Sequence, residues 1–153
     1  MSDPRRWTQM YDRMKRWYER VVNSSGRPEV DVDNAYVFLL FCYHLKDWIK
    51  NDVSIDKQVR GAVENFVNTT CIALAGDVAN GVKHLIRDRQ EHVRVDPAAR
   101  VSASYSPTWA LGESPLGVTL VIVGDQIRYD ARDVAGQCAA AWDEFLKRHG
   151  LPS

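Results

Sequence analysis

The feature that most constrains this chain is a run of nine residues, Ala35-Tyr36-Val37-Phe38-Leu39-Leu40-Phe41-Cys42-Tyr43, apolar on nearly every side. It sits in a helical stretch that starts near Asp31 or Asp33 and continues to about Lys50. A helix that is apolar all round has no face to give to water and must be enclosed. This predicts the central helix of a bundle. Polar residues return abruptly from His44 to Asp52.

The flanking segments can supply the enclosure. Trp7, Met10, Tyr11, Met14, Trp17, Tyr18 and Val21 recur at helical spacing, predicting an amphipathic helix from about Pro4 to Val22. Asn23 to Pro28 reads as a stop and a loop. A third helix follows, with Ser54 as its expected cap, Asp56 in its first turn and a stripe of Ile55, Val59, Ala62, Val63, Phe66 and Val67. A fourth runs from Cys71 to about Arg87 on Ile72, Ala75, Val78, Ala79, Val82, Leu85 and Ile86. Gly76 and Gly81 lie inside it, each costing about 1 kcal/mol against alanine, and so suggest a close helix approach or a bend. Trp7, Trp17, Trp48 and Trp142 all fall at core spacing, whereas Trp109 lies in a loop.

The period then changes from helical to alternating. Residues 92–95 and 101–105 read as strands, and Val118–Val123 meets Gln126–Tyr129 across Gly124-Asp125, a hairpin signal. A last helix begins after Asp130 and ends before Gly150. The predicted fold is mainly α: a bundle of four to five helices with a small antiparallel sheet inserted before the C-terminal helix. All 153 residues are read as one domain, with the bundle at 1–90, the β insertion at 92–130 and the closing helix at 131–149.

Composition narrows the class. Twenty basic residues balance twenty acidic ones, which excludes a protein that coats nucleic acid indiscriminately. The balance is uneven along the chain. Residues 1–27 hold seven basic and three acidic groups, and residues 83–100 hold five and three, so these two segments carry +6 and the remainder −6. That leaves room for a local cationic surface. No apolar run approaches a membrane span, and residues 1–7 lack the apolar core of a secretory signal. Three widely spaced cysteines (Cys42, Cys71, Cys138) read as reduced thiols rather than a disulfide framework. The expectation is a cytoplasmic protein with no membrane partner and no cofactor.

Two polar stripes interrupt the apolar helices. His44, Asp47 and Asn51 stand at i, i+3 and i+7 on the second helix; Asp77, Asn80 and His84 repeat those offsets on the fourth. Residues at such spacings share a helix face. Lys46 and Lys83 flank the stripes. Three readings stay open. The stripes are structural, either an internal hydrogen-bond network that fixes helix register or simply two exposed faces. They are an acid–base site, with His moving protons and Asp orienting the ring. Or His44, Asp47, Asp77 and His84 are metal ligands contributed by paired helices.

Ala79-Asn80-Gly81-Val82-Lys83-His84, late in a small helical bundle, resembles the Arg-Asn-x-x-x-His signature of HEPN domains. These are compact all-helical domains of prokaryotic toxin–antitoxin, CRISPR and phage-defence systems, and many are metal-independent ribonucleases. The resemblance covers roughly residues 31–92. It implies that His84 is the catalytic histidine and Asn80 its accompanying polar residue. His44 or Asp47 is a candidate to complete the site from another helix, with Asp77 nearby, and Lys83, Lys46 and Arg87 are candidates for RNA-phosphate contacts. It also implies a homodimer, and a protein partner or antitoxin is a further expectation. The pattern departs at one position: Ala79 stands where the family has its catalytic arginine. Arg87 and His92 match the Arg-x4-His spacing a turn or two later. The contrasting expectation is a non-catalytic module that engages a partner protein through its hairpin or first helix.

Overall fold

A computed structural model describes residues 6–80, 99–105, 118–124 and 127–153. Its helices are α1 (Arg6–Val22), α2 (Pro28–Asn51), α3 (Lys57–Asn68), α4 (72–80 among the described residues) and α5 (Ala131–Arg148). Strands β1 (Ala99–Tyr105), β2 (Val118–Gly124) and β3 (Ile127–Asp130) form an antiparallel sheet in that order. The fold is the mainly helical bundle with a β insertion that the periodicity predicts. The hairpin forms where Gly124 pairs with Ile127, and Tyr105 pairs with Val118.

The nine-residue apolar run lies in α2, and α1, α3, α5, β1 and β2 all pack on that helix. Phe38, Cys42, Leu45 and Ile49 have no exposed surface. α1 and α5 are antiparallel neighbours: Tyr11 donates to the Asp143 carboxylate, while Tyr18 approaches Gly136. α5 also meets α2, where the Trp142 indole donates to the Cys42 carbonyl at 3.0 Å. Phe66 of α3 stacks on Phe145 at 4.4 Å between ring centres and meets Trp142 edge-on at 4.9 Å, locking α3 to α5.

Local chemistry corrects several predicted boundaries. α2 starts at Pro28, earlier than Asp31, because proline's fixed φ suits a first helical position. Asp31 therefore lies inside the first turn. Buried there, it accepts from Ser24 Oγ at 2.6 Å and Ser25 N at 2.8 Å, and so pins the α1–α2 connection. Burial pushes its pKa up, but those hydrogen bonds and the Arg132 charge outweigh burial and hold it below the ordinary value. The cap of α3 is Asp56, which accepts from Gln58 N at 2.7 Å; Ser54 instead donates to Asp52. The start of α5 follows expectation, with Asp130 accepting from Arg132 N and Asp133 N. Trp48 is a further correction: it is 38% exposed, because Leu45 and Ile49 occupy the inward positions of that turn. The strand expected at 92–95, Gly81 and Trp109 lie outside the described residues.

The thiols are all unbridged, and they converge. Cys138 of α5 lies close to both Cys42 of α2 and Cys71 just before α4. The interaction with Cys138, ahead of burial, raises the pKa of Cys71; the interaction with Cys42 does most to raise that of Cys138. A raised pKa disfavours the thiolate, the nucleophilic form, at both positions.

Candidate functional site

The second helix bears its predicted polar stripe on the surface. His44 Nδ1 lies 3.2 Å from Asp47 Oδ2, and the two side chains are each about half exposed, at 48% and 49%. Asn51 Nδ2 donates to the Asp47 carbonyl at 2.8 Å, which anchors the next turn of the stripe. The Tyr43 ring meets the imidazole edge-on, with centroids 5.3 Å apart. The imidazole is thus held by a carboxylate on one nitrogen and an aromatic ring on its flank. In the Nδ1–H tautomer the imidazole donates to Asp47 and leaves Nε2 as its acceptor.

α4 comes directly against this part of α2. A Cβ built on Gly76 would lie 2.6 Å from Tyr43 Cε2 and 2.9 Å from its Cδ2. Of the two explanations open for that glycine, close helix approach is the one observed. The contact places Asp77 one residue from Gly76, beside the helix that carries His44. Asp77 and Asn80 are exposed, so the described residues of the two stripes stand on exposed helix faces, as the structural reading also allows, rather than in a buried network. Ala79 faces the core at 4% exposure. The position aligned with the HEPN arginine therefore points away from solvent. His84, Lys83, Arg87 and His92 lie outside the described residues.

Lys46 corrects the predicted phosphate contacts. It is buried, and its ammonium donates to Glu64 Oε1 at 2.8 Å and Tyr43 Oη at 3.0 Å. Lys50 donates to the other oxygen of Glu64 at 3.0 Å. Burial alone would lower the Lys46 pKa; the bonds to Glu64 and Tyr43 overcome it and raise the pKa above its ordinary value. Hydrogen bonds from Lys46 and Lys50 hold the Glu64 carboxyl below its ordinary range. A lysine so engaged braces α2 against α3 and positions Tyr43; it is not available to a phosphate. Sequence reasoning missed Tyr43 and Glu64. Tyr43 reads as one more apolar residue, and Glu64 is distant along the chain with no local pattern linking it to Lys46.

Among the described residues, no three His, Cys, Asp or Glu side chains are arranged to hold a metal ion. His44 and Asp47 supply two potential ligands only, so the metal arrangement predicted from the stripes is not assembled by the described part of the site. No helix among those residues is long and apolar enough to cross a membrane. Compared with protein-family models, curated proteins and solved structures, the chain gives no match in any of the three.

Proposed function

We propose that this chain acts on RNA, with His44 and Asp47 as an acid–base pair that cleaves the phosphodiester backbone without metal. The observation that carries the reading is the exposed His44–Asp47 hydrogen bond. A carboxylate lies within hydrogen-bond reach of the imidazole, and the pair stands at the surface rather than in the core. In the proposed reaction Nε2 takes the proton of a ribose 2′-hydroxyl. The 2′-oxygen attacks the adjacent phosphorus, and the P–O5′ bond breaks. The leaving 5′-oxygen takes a proton, yielding a 2′,3′-cyclic phosphate and a 5′-hydroxyl end. Asp47 stabilises the imidazolium that forms.

The HEPN resemblance supports RNA as the substrate class and adds His84 as the candidate acid, but Ala79 supplies no cation. In this reading the charge that meets the phosphate comes from elsewhere on the chain. The test compares wild-type protein with His44→Ala and Asp47→Asn on tRNA and mixed RNA, with thermal melts as a control for folding. Cleavage by wild type, abolished in His44→Ala and reduced in Asp47→Asn, is the expected outcome. Equal inactivity of all three proteins contradicts it.

A second reading has its own observation. Trp48 and Val53 expose apolar surface at and just beyond the C-terminal end of α2, with Val53 at 86%. A non-catalytic module would use that patch to engage a protein partner or a second copy of the chain. Under this reading Trp48→Ala abolishes complex formation, and His44→Ala leaves every property intact.

A further inference from the structure

We infer that α1 is a phosphodiester-binding track, with Arg6, Arg13, Arg16 and Arg20 as its contacts. The identity of the polymer rests on the RNA reading above, while binding through α1 is independent of cleavage. At 3.6 residues per turn, these four arginines and Gln9 fall within an arc of about 80° and span roughly 21 Å of helix. All five are exposed. The acidic residues of α1 lie outside that arc. Asp12 is paired with Lys15 at 3.5 Å, and Glu19 lies in the sector between Asp12 and Lys15. Among the described residues, no carboxylate forms a salt bridge with any of the four arginines.

The stripe is also partly preorganised. The Arg20 guanidinium lies 4.3 Å over the half-buried Trp17 ring, and an Arg13 nitrogen rests 3.8 Å from the Met10 sulfur. Both contacts hold planar guanidinium groups close to the helix surface, where they can meet phosphate oxygens two at a time. A straight row of such groups suits an extended, regularly charged polymer. Trp17 at its edge adds an aromatic surface next to the cations.

A lipid surface fits less well. A helix that lies in a membrane inserts its apolar face. The apolar face of α1, carrying Trp7, Met10, Met14 and Val21, is consumed by the core. Only the charged face remains. The chain's net charge of zero agrees with a local track rather than a general cationic coat. Lys46 of α2 is committed to Glu64, so it does not compete with the α1 arginines as a phosphate contact.

The experiment measures binding of a fluorescent 20-nucleotide oligouridylate, and of an RNA duplex, across a salt series. Four proteins are compared: wild type; Arg13→Gln/Arg16→Gln/Arg20→Gln; the same three positions changed to Lys; and Lys57→Gln/Arg128→Gln/Lys147→Gln, which removes equal charge from other elements. Phosphatidylserine vesicles serve as a further arm. The expected result is a tenfold or greater loss of RNA affinity in the α1 glutamine variant. Its slope of log K against log salt should fall by roughly 2 on single-stranded RNA. The lysine variant should keep the wild-type slope, and the control triple should bind as wild type does. The single strand is expected to bind more tightly than the duplex. Equal weakening by the α1 and control triples overturns the inference. So does wild type that binds vesicles but not RNA, or that binds neither. Loss of cleavage in His44→Ala with RNA binding unchanged tests the catalytic reading alone, so the two proposals fail separately.

Discussion

Gly76→Ala puts a number on the contact that joins α4 to the site. Alanine is the better helix former by about 1 kcal/mol, so an exposed glycine-to-alanine change in mid-helix stabilises. Here the new methyl would lie 2.6 Å, 2.9 Å and 3.2 Å from three carbons of the Tyr43 ring. Overlap on that scale in a packed contact costs about 1–3 kcal/mol. Relief by swinging the ring away is resisted, because the phenol oxygen accepts from Lys46 and the ring packs on His44. Setting the propensity gain against the overlap leaves a net loss of about 0–2 kcal/mol. Urea denaturation followed by tryptophan fluorescence measures this as a lowered midpoint. At a slope of about 2 kcal/mol/M the shift is at most about 1 M, with the slope unchanged. Repeating the substitution in a Tyr43→Ala background isolates the cause: without the ring, alanine should now stabilise by about 1 kcal/mol. Stabilisation by Gly76→Ala in the wild-type background would refute the close approach. A penalty that persists without the ring would refute its assignment to Tyr43.

Three further outcomes follow from the same geometry. Glu64 has a depressed folded pKa, so its contribution to stability is full above its ordinary value of 4.5 and is lost as pH falls through the folded value. Glu64→Gln should therefore lower stability at pH 7 by about 1 kcal/mol, given that the carboxylate is partly solvated, and flatten the acid limb of stability against pH. A series of melts from pH 3 to 7 checks both. Trp142→Phe removes the donor to the Cys42 carbonyl and leaves a small void, which should cost about 2–3 kcal/mol in denaturant titration. Asp130→Ala should cost about 1 kcal/mol, and Asp130→Asn much less, since an amide oxygen still caps the α5 nitrogens; thermal melts of the pair decide it.

How much the sequence discloses depends on the range of the interaction. The His44–Asp47 pair was legible because its partners are three residues apart on one helix, where spacing fixes the shared face. Asp130 was legible as a helix start for the same reason. The Gly76 approach was half legible: an interior glycine signals closeness or bending, but nothing local names Tyr43 as the ring it admits. Lys46 was misplaced because its partner Glu64 lies on the next helix, and a lysine beside a polar stripe looks solvated until that partner is found. Trp48 was misplaced because helical spacing admits neighbouring positions to the same face, and Leu45 and Ile49 fill the inward ones. The convergence of Cys42, Cys71 and Cys138 had no sequence signal at all, since it is set by how α2, α5 and the start of α4 pack together.

The most direct test of the central claim is the end chemistry of RNA incubated with the protein in the presence of a metal chelator. The account predicts fragments ending in 2′,3′-cyclic phosphate and 5′-hydroxyl, formed by the wild-type chain and absent with a His44→Ala variant that melts like wild type. Fragments formed equally by both proteins, or no cleavage by either, would contradict it.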